Sequence, residues 1–388
     1  MAEVTNFEHN GVSVETTESP EAMGGLGDNV VGIVGTAPNA DMSVPRNSPF
    51  RINSFTLAGK LDPTAAEAGS LFHTVHAILK VVKVPIYVIV VEEGATPADT
   101  LNNVIGGVDP VSGQVTGLGA LALCAEVPTI IGAPGFSDAQ AVHSELASLG
   151  KRIRARVVFD GLDTDVAGQV VNSQAIGGAE LGYDRCYMVH QMPAVYSKAA
   201  KANVFLPPSS LAIAAMAAVK QWESPGNQVT YAADVARTVE YNILDKSTEG
   251  DLLNRYGVSY YARTTLGGFS LLGNRSITGK FISYVGLEDA ITRKLVKAAQ
   301  KVMAKNLTKT FMEQEVKRID DWIQTLVADE TIPGGKVYLH PELNSVEKYK
   351  NGTWYLCIDY GRYAPNEHMI YQLNASDAII EEFLEDVL

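Results

Sequence analysis

Five short apolar runs, separated by stretches of helical periodicity, constrain this chain more than any other feature. They are NVVGIVGTAP (29–38), VPIYVIVVEEG (84–94), VPTIIGAPG (127–135), ARVVFDG (155–161) and DRCYMVH (184–190). Runs of this kind, lacking strict alternation, suit strands buried on both faces. The first two are separated by a helix that Asp62 is expected to cap, with Pro63 in its first turn and Leu71, Phe72, Val75, Ile78, Leu79 and Val82 on one face. Ser137 and Gln140 have capping-box spacing ahead of a second helix through Leu146 and Leu149, which Gly150 should end. Further helices are expected near 165–178 and over SSLAIAAMAAVKQW (209–222). Strand–helix alternation predicts an α/β unit with a mainly parallel sheet.

After ESPGNQ (223–228) the pattern changes. Residues 228–286 are rich in strand and turn signals. Two helices follow, at about 287–305 and 310–330, broken at Asn306–Thr308. GGKVYLHPEL, GTWYLCIDYG and EHMIYQLN then read as three short antiparallel strands. This second region is expected to be an α+β unit. No repeat of 20–50 residues is visible. At the N-terminus GVSVETT (11–17) alternates like a strand, and the turn-rich ESPEAMGGLGD follows it. A lone strand needs a sheet to join, its own or another chain's. The expected layout is an N-terminal arm (1–22), an α/β domain (23–230), an α+β domain (231–375) and a C-terminal arm (376–388).

The chain has 388 residues, of which 46% are apolar, enough for two or three domains with real cores. Its net charge of −13 argues against general nucleic-acid binding. No run of 18 apolar residues occurs, so no membrane-spanning helix is expected. MAEVTNFEHNG lacks a basic region followed by an apolar one, so no secretory signal is expected. Cys124, Cys186 and Cys357 are few, odd in number and far apart, which suits a reducing compartment.

Little in the sequence points to catalytic chemistry. GIVGTAP follows a strand but lacks dinucleotide-loop spacing, and no phosphate-binding loop or nucleophile elbow is present. His73 and His76 could chelate a metal, yet their helical phase places them with Lys80 and Lys83, so a solvated helix face is the preferred reading. His190 ends an apolar strand and is read as a core histidine. Asp160 stands at a strand end, where α/β enzymes place catalytic groups, but an Asp-Gly turn explains it equally well. No cofactor and no metal site are expected. The alternative function is an α/β enzyme, metal-dependent through His73 and His76.

One charge pattern is unusual. On a helix, Lys294, Lys297, Lys301 and Lys305 fall within an arc of about 80°. Leu295, Val296, Ala299, Val302 and Met303 take the other side. Between 287 and 318 there are eight basic residues against four acidic ones, in an acidic chain. A solvated face whose lysines complement a helix C-terminus is the plain explanation.

QWESPGNQ (221–228), LLGNRSITG (271–279), AKNLTKTFMEQEVKRIDDWIQTLVADETIPG (304–334), VYLHPELNS (337–345) and GTWYLCIDYGRYAPNEHMIYQL (352–373) together resemble the contractile phage tail sheath family, which includes the sheaths of R-type bacteriocins. IIGAPG (130–135) and VVFDGL (157–162) fit the central domain of that family. The resemblance extends over almost the whole chain and is strongest from about 220 to 375.

It implies a structural subunit with no active site. Subunits of this family stack as hexameric rings around an inner tube and contract to drive the tube through a cell envelope. The expected partners are further copies of the chain, the inner tube protein, and baseplate and tail terminator proteins. Neither nucleic acid nor membrane insertion is expected. The expected location is the virion tail, with assembly in the host bacterial cytoplasm. The resemblance makes the α/β domain the outer one and the α+β domain the tube-proximal one. It turns Lys294, Lys297, Lys301 and Lys305 towards the inner tube. It also makes both arms donors of strands to neighbouring subunits, through Val12, Val14 and Thr16 and through Phe383, Leu384 and Val387. The tail SDAIIEEFLEDVL (376–388) departs from that pattern, because its apolar residues follow a helical period. It is expected to form a short helix followed by a few extended residues.

Overall fold

The computed structural model describes residues 23–177 and 182–388. The expected strand at 11–17, with Val12, Val14 and Thr16, lies outside them.

Among the described residues fourteen strands are formed. They are β1 (Val31–Thr36), β2 (Phe50–Ile52), β3 (Ile86–Val91), β4 (Ile130–Gly132), β5 (Arg156–Asp160), β6 (Cys186–Val189), β7 (Pro193–Ser197), β8 (Ala202–Phe205), β9 (Gln228–Val229), β10 (Asp234–Val235), β11 (Val258–Thr264), β12 (Gly268–Leu272), β13 (Gly335–Leu339) and β14 (Leu356–Tyr360). Nine of them make one sheet in the order β2-β3-β1-β4-β5-β6-β11-β12-β9. The strands from β3 to β11 are mutually parallel, and β2, β12 and β9 are antiparallel to their neighbours. Every residue of β1, β3 and β5 is buried, as their unbroken apolar sequences require. Alternate residues face two cores. Val31, Ile33, Ile86 and Val88 pack with Leu71, Val75 and Ile78 of the helix Leu71–Val81 and with Leu211, Ile213 and Met216 of the helix Pro208–Ala218. Val30, Val34, Tyr87 and Ile89 pack with Leu146 and Leu149 of the helix Gln140–Ile153. A smaller sheet, β10-β7-β8, was not signalled by the sequence pattern.

Several expected helix ends move, each for a tertiary reason. The first helix begins at Leu71, not at Asp62. The Asp62 carboxylate instead accepts from Thr64 Oγ1, Asn39 Nδ2 and the Ala68 N–H, in a loop where Ala65, Glu67 and Gly69 have positive φ. Ser137 caps nothing, because its hydroxyl bonds Asp160. Gly150 lies within its helix, which runs on to Ile153. A Cβ there would come within 2.6 Å of Val157 Cγ2 and 2.9 Å of the Ala155 carbonyl, so glycine permits the helix to approach β5 closely. The helix expected over 209–222 ends at Ala218, where Asn29 Nδ2 donates to the carbonyls of Ala217 and Val219 at 3.1 and 2.6 Å.

The chain packs into two compact units, but they do not divide at 230/231. One unit is Gly27–Arg293 with Ala364–Leu388, and the other is Lys294–Tyr363 with residues 23–26. The boundary moves because β11 joins β6 in parallel, through Val258↔Met188 and Ser259↔Val189, and so carries the 228–286 region into the large sheet. The helix Ile282–Gln300 contributes residues to both units.

In the smaller unit the helix Lys309–Ala328 is capped by Thr308, whose hydroxyl accepts from the Phe311 N–H. It buries Ile319, Trp322, Ile323 and Leu326. The two-stranded sheet β13–β14 belongs to the same unit. The third strand expected at EHMIYQLN is not formed among the described residues. The tail is a helix, Asp377–Val387, followed only by Leu388. Phe383, Leu384 and Val387 therefore lie on a helix rather than on an extended strand.

Candidate functional site

The lysine stripe is partly helical. The helix stops at Gln300, a turn follows, and Ala304 has φ of +66°. Lys294 and Lys297 thus stand on the helix, Lys301 in the turn after it, and Lys305 beyond that turn. Lys294 is half-buried, while Lys297, Lys301 and Lys305 are exposed. Burial pulls the Lys294 amine below the usual lysine range, and repulsion from Lys297 and Lys301 adds to this. The amines of 294, 297 and 301 therefore form one positive field. On the opposite side Val296 and Met303 are 55% and 73% exposed.

The C-terminal helix carries Ile379, Ile380, Phe383, Leu384 and Val387, all exposed. A polar face backs this apolar stripe, so the helix is amphipathic with its apolar side uncovered among the described residues.

The two edges of the β13–β14 sheet differ. The Gly361 N–H donates to the Gly334 carbonyl at 2.9 Å, and the His340 N–H to the Tyr355 carbonyl at 3.1 Å. With the register Lys336↔Asp359 and Tyr338↔Cys357, residues 336 and 338 bond inward, and Gly335, Val337 and Leu339 point their peptide groups outward. That outer edge is taken. The Val337 N–H donates to Asp320 Oδ1, and Gln324 Nε2 donates to the Gly335 carbonyl, each at 3.1 Å. On the other edge the outward groups belong to β14.

A buried ionic cluster roots the helix Ile282–Gln300 in the larger unit. Asp289, 1% exposed, receives Arg185 Nε and Nη2 at 2.8 and 2.7 Å. Arg156, also 1% exposed, donates Nη2 to Asn29 Oδ1 at 2.7 Å, and its Nη1 has no partner. Arg293 donates to the Arg154 carbonyl and to Gln221 Oε1. Burial, then repulsion from Arg293, pulls Arg156 down to about 9, and burial pulls Arg293 down to about 10. No linear signal marked this cluster, because Arg156 and Asp289 lie on segments far apart in sequence.

Asp160 is a structural hub rather than a base. Its Oδ2 accepts from the Gly135 N–H and Ser137 Oγ at 2.9 and 2.7 Å, and its Oδ1 from the Ser209 N–H at 2.8 Å. Burial pushes its pKa up, opposed by these bonds. Every partner is a donor, so an amide would place its NH2 against another donor. Asp160→Asn is expected to destabilise the subunit by about 2 kcal/mol, read from urea unfolding. His190 is 1% exposed and shares a cavity of about 280 Å³ with Asp160, Asp163 and Arg237. The core reading of this histidine holds. His73 and His76 are not on a solvated face. Both are half-buried, His73 sits 3.6 Å from Glu67, and His76 stacks on Phe72 and donates Nδ1–H to its carbonyl. Burial lowers the pKa of both. Among the described residues no group of three or more His, Cys, Asp or Glu could hold a metal, and no helix is long and apolar enough to cross a membrane.

No family profile matches the chain. Individual proteins do. A prophage major tail sheath protein of Pseudomonas aeruginosa (strain UCBPP-PA14) is 25% identical over 363 residues, covering 90% of this chain and 91% of that protein. The tail sheath protein of Burkholderia phage BcepMu is 22% identical over 70% of this chain and 61% of its own length. The major tail sheath protein of Serratia phage KSP20 is 31% identical over 39% of each. Among solved structures, the sheath complex of the PVC extracellular contractile injection system in its contracted state superposes with a TM-score of 0.72 at 14% identity, over 97% of this chain and 99% of that one. The contracted helical sheath of the anti-feeding prophage gives 0.69 at 17% identity, over 96% and 100%. The chain is thus a relative of tail sheath proteins along nearly its whole length, and it shares the fold of contractile sheath subunits.

Proposed function

We propose that this chain is the structural subunit of a contractile sheath, stacking as hexameric rings around an inner tube and contracting to drive that tube through a cell envelope. The observation that carries this reading is likeness to sheath proteins over about nine-tenths of both chains, in sequence and in fold. Further copies of the chain, the tube protein, and baseplate and terminator proteins are its partners. Its place is the tail of a virion, reached from the bacterial cytoplasm where the tail is built. The work is mechanical, in keeping with an Asp160 whose oxygens are saturated by donors and a His190 sealed in the core.

Arms from neighbouring subunits add strands to sheets of this chain by main-chain pairing. The N-terminal arm, through Val12, Val14 and Thr16, is one donor. The C-terminal arm is the other, and its helix must then unwind or dock by its apolar face through Phe383, Leu384 and Val387. Heterologous contacts of this sort, repeated without closing, generate a helical tube.

Lys294, Lys297, Lys301 and Lys305 face the inner tube. Exposed ion pairs contribute only about 0–1 kcal/mol each, so repetition around every ring gives a firm hold that still releases contact by contact. The partner surface on the tube is therefore acidic. Changing Lys294, Lys297 and Lys301 to Glu is expected to abolish most extended, tube-filled particles in co-assembly with the tube protein and to leave empty, contracted sheaths, scored by electron microscopy. Wild-type yields of filled particles would return the stripe to ordinary solvated surface. Discrete small particles from the wild-type chain with tube protein present would overturn the sheath reading itself.

A further inference from the structure

Arg275 is built as a receptor for one carboxylate. It sits in the tight loop that leads into the helix Ile282–Gln300. The loop is closed by the Ser276 N–H to the Lys280 carbonyl at 2.7 Å and the Ile282 N–H to the Asn274 carbonyl at 3.0 Å, and tied to β6 by the Ile277 N–H to the Cys186 carbonyl at 2.9 Å. The Arg275 guanidinium lies 4.0 Å above the Phe281 ring, and its Nη1 donates to the Gly279 carbonyl at 2.7 Å. Both contacts fix the plane of the group before any partner arrives. The remaining prongs go to Glu367, with Nε at 3.1 Å from Oε1 and Nη2 at 2.8 Å from Oε2. Two-pronged pairing sets direction as well as energy.

Glu367 stands where the chain leaves the folded body. Residues 368–388 are exposed throughout, and Ile370, Tyr371 and Leu373 are 78%, 79% and 93% exposed. The 364–388 segment is hydrogen-bonded to the rest of the chain through Glu367 and Arg275.

We propose that the Arg275–Glu367 pair is a clasp that pins the root of the C-terminal arm to its own subunit, so that residues 368–388 depart from one fixed point and in one direction towards a second copy. The clasp itself is a property of the single chain. Where the arm goes rests on the sheath reading above. A pinned root lowers the entropy lost when the arm is captured, because fewer orientations of the arm remain to be given up. It also holds the covalent end of the arm in place while the subunit turns against its neighbours. The pair is part-exposed, at 40% and 31% of its side chains, so its hold is modest and sensitive to salt.

The test uses the unassembled full-length chain and then its assembly. A nitroxide label at His368→Cys, on a Cys357→Ser background, reports motion one residue beyond the clasp. In the otherwise wild-type chain its spectrum should be dominated by a restrained component. Arg275→Glu, and separately Glu367→Arg, should cut the restrained population about five- to ten-fold, and the double exchange Arg275→Glu/Glu367→Arg should restore it. Raising salt to about 1 M should release it in part. Cylinder length by microscopy should fall in each single variant and recover in the double exchange. An unchanged spectrum in Arg275→Glu overturns the clasp. A released spectrum with cylinders of wild-type length overturns its role in assembly. Failure of the sheath reading would show differently, as a wild-type chain with a restrained label that forms no cylinders with the tube protein.

Discussion

Replacing Asp289 with alanine is expected to destabilise the isolated subunit by about 3–5 kcal/mol. Asp289 is 1% exposed and takes both prongs of Arg185, whose side chain is itself only 10% exposed. It is also the buried acid opposing the low pKa values of Arg156 and Arg293. Its loss would leave three guanidinium groups in or near the core, with half-exposed Glu288 and neighbouring Asp184 as the carboxylates still acting on Arg185. Removing one partner of a buried pair costs far more than the pair contributes, because the other charge stays desolvated. Urea unfolding should show a lower midpoint at unchanged slope. Arg185→Met with Asp289→Leu should cost clearly less than the sum of the two single changes, since it removes both charges and keeps the volume. A single-variant loss below about 1 kcal/mol would mean that water or a moved side chain already compensates the cluster.

What the sequence made legible follows from which interactions are local. β1, β3 and β5 were readable because burial on both faces demands unbroken apolar residues, and that demand is written in consecutive positions. The tail helix was readable through its 3.6-residue period, although its end was not, since nothing local distinguishes a frayed last turn from an extended one. Asp62 and Ser137 carried correct capping chemistry, but a loop and Asp160 claimed their oxygens first. VSYYART showed itself as a strand, yet its neighbour β6 lies some seventy residues earlier, and choice of neighbour has no local signature. The 230/231 boundary moved for that reason. His73 and His76 were in the right helical phase for a polar face. Phe55 and Glu67, from segments outside that helix, cover them. The arginine cluster around Asp289 was illegible because opposite charges on distant segments look like ordinary surface until the fold brings them together.

Acidification should destabilise this subunit from about pH 6.5 downward, before ordinary carboxylates begin to protonate. Burial, with repulsion from Arg237 added, pushes His190 from 6.5 down to about 4, and Asp163, Asp165 and Glu249 only partly offset this. Its Nδ1 has no partner that would reward a second proton. Between these two values the unfolded chain binds a proton that the folded chain refuses, so stability falls as pH drops from 6.5 towards 4. For His190 alone the loss is roughly 2–3 kcal/mol by pH 4.5. His73, His76 and His143 are shifted in the same direction by burial and add to the slope. Asp160 works the other way. Its raised pKa makes the folded state the better proton binder as pH falls, which stabilises it. A comparison of wild type with His190→Gln at each pH removes that opposing trend, along with the three other histidines. Urea midpoints from pH 7 to 4.5 should fall steeply in the wild type and less steeply in His190→Gln, whatever stability the substitution costs at neutral pH. Parallel slopes would mean that His190 takes its proton without unfolding, by turning Nδ1 towards the neighbouring cavity and the Asp163 carboxylate.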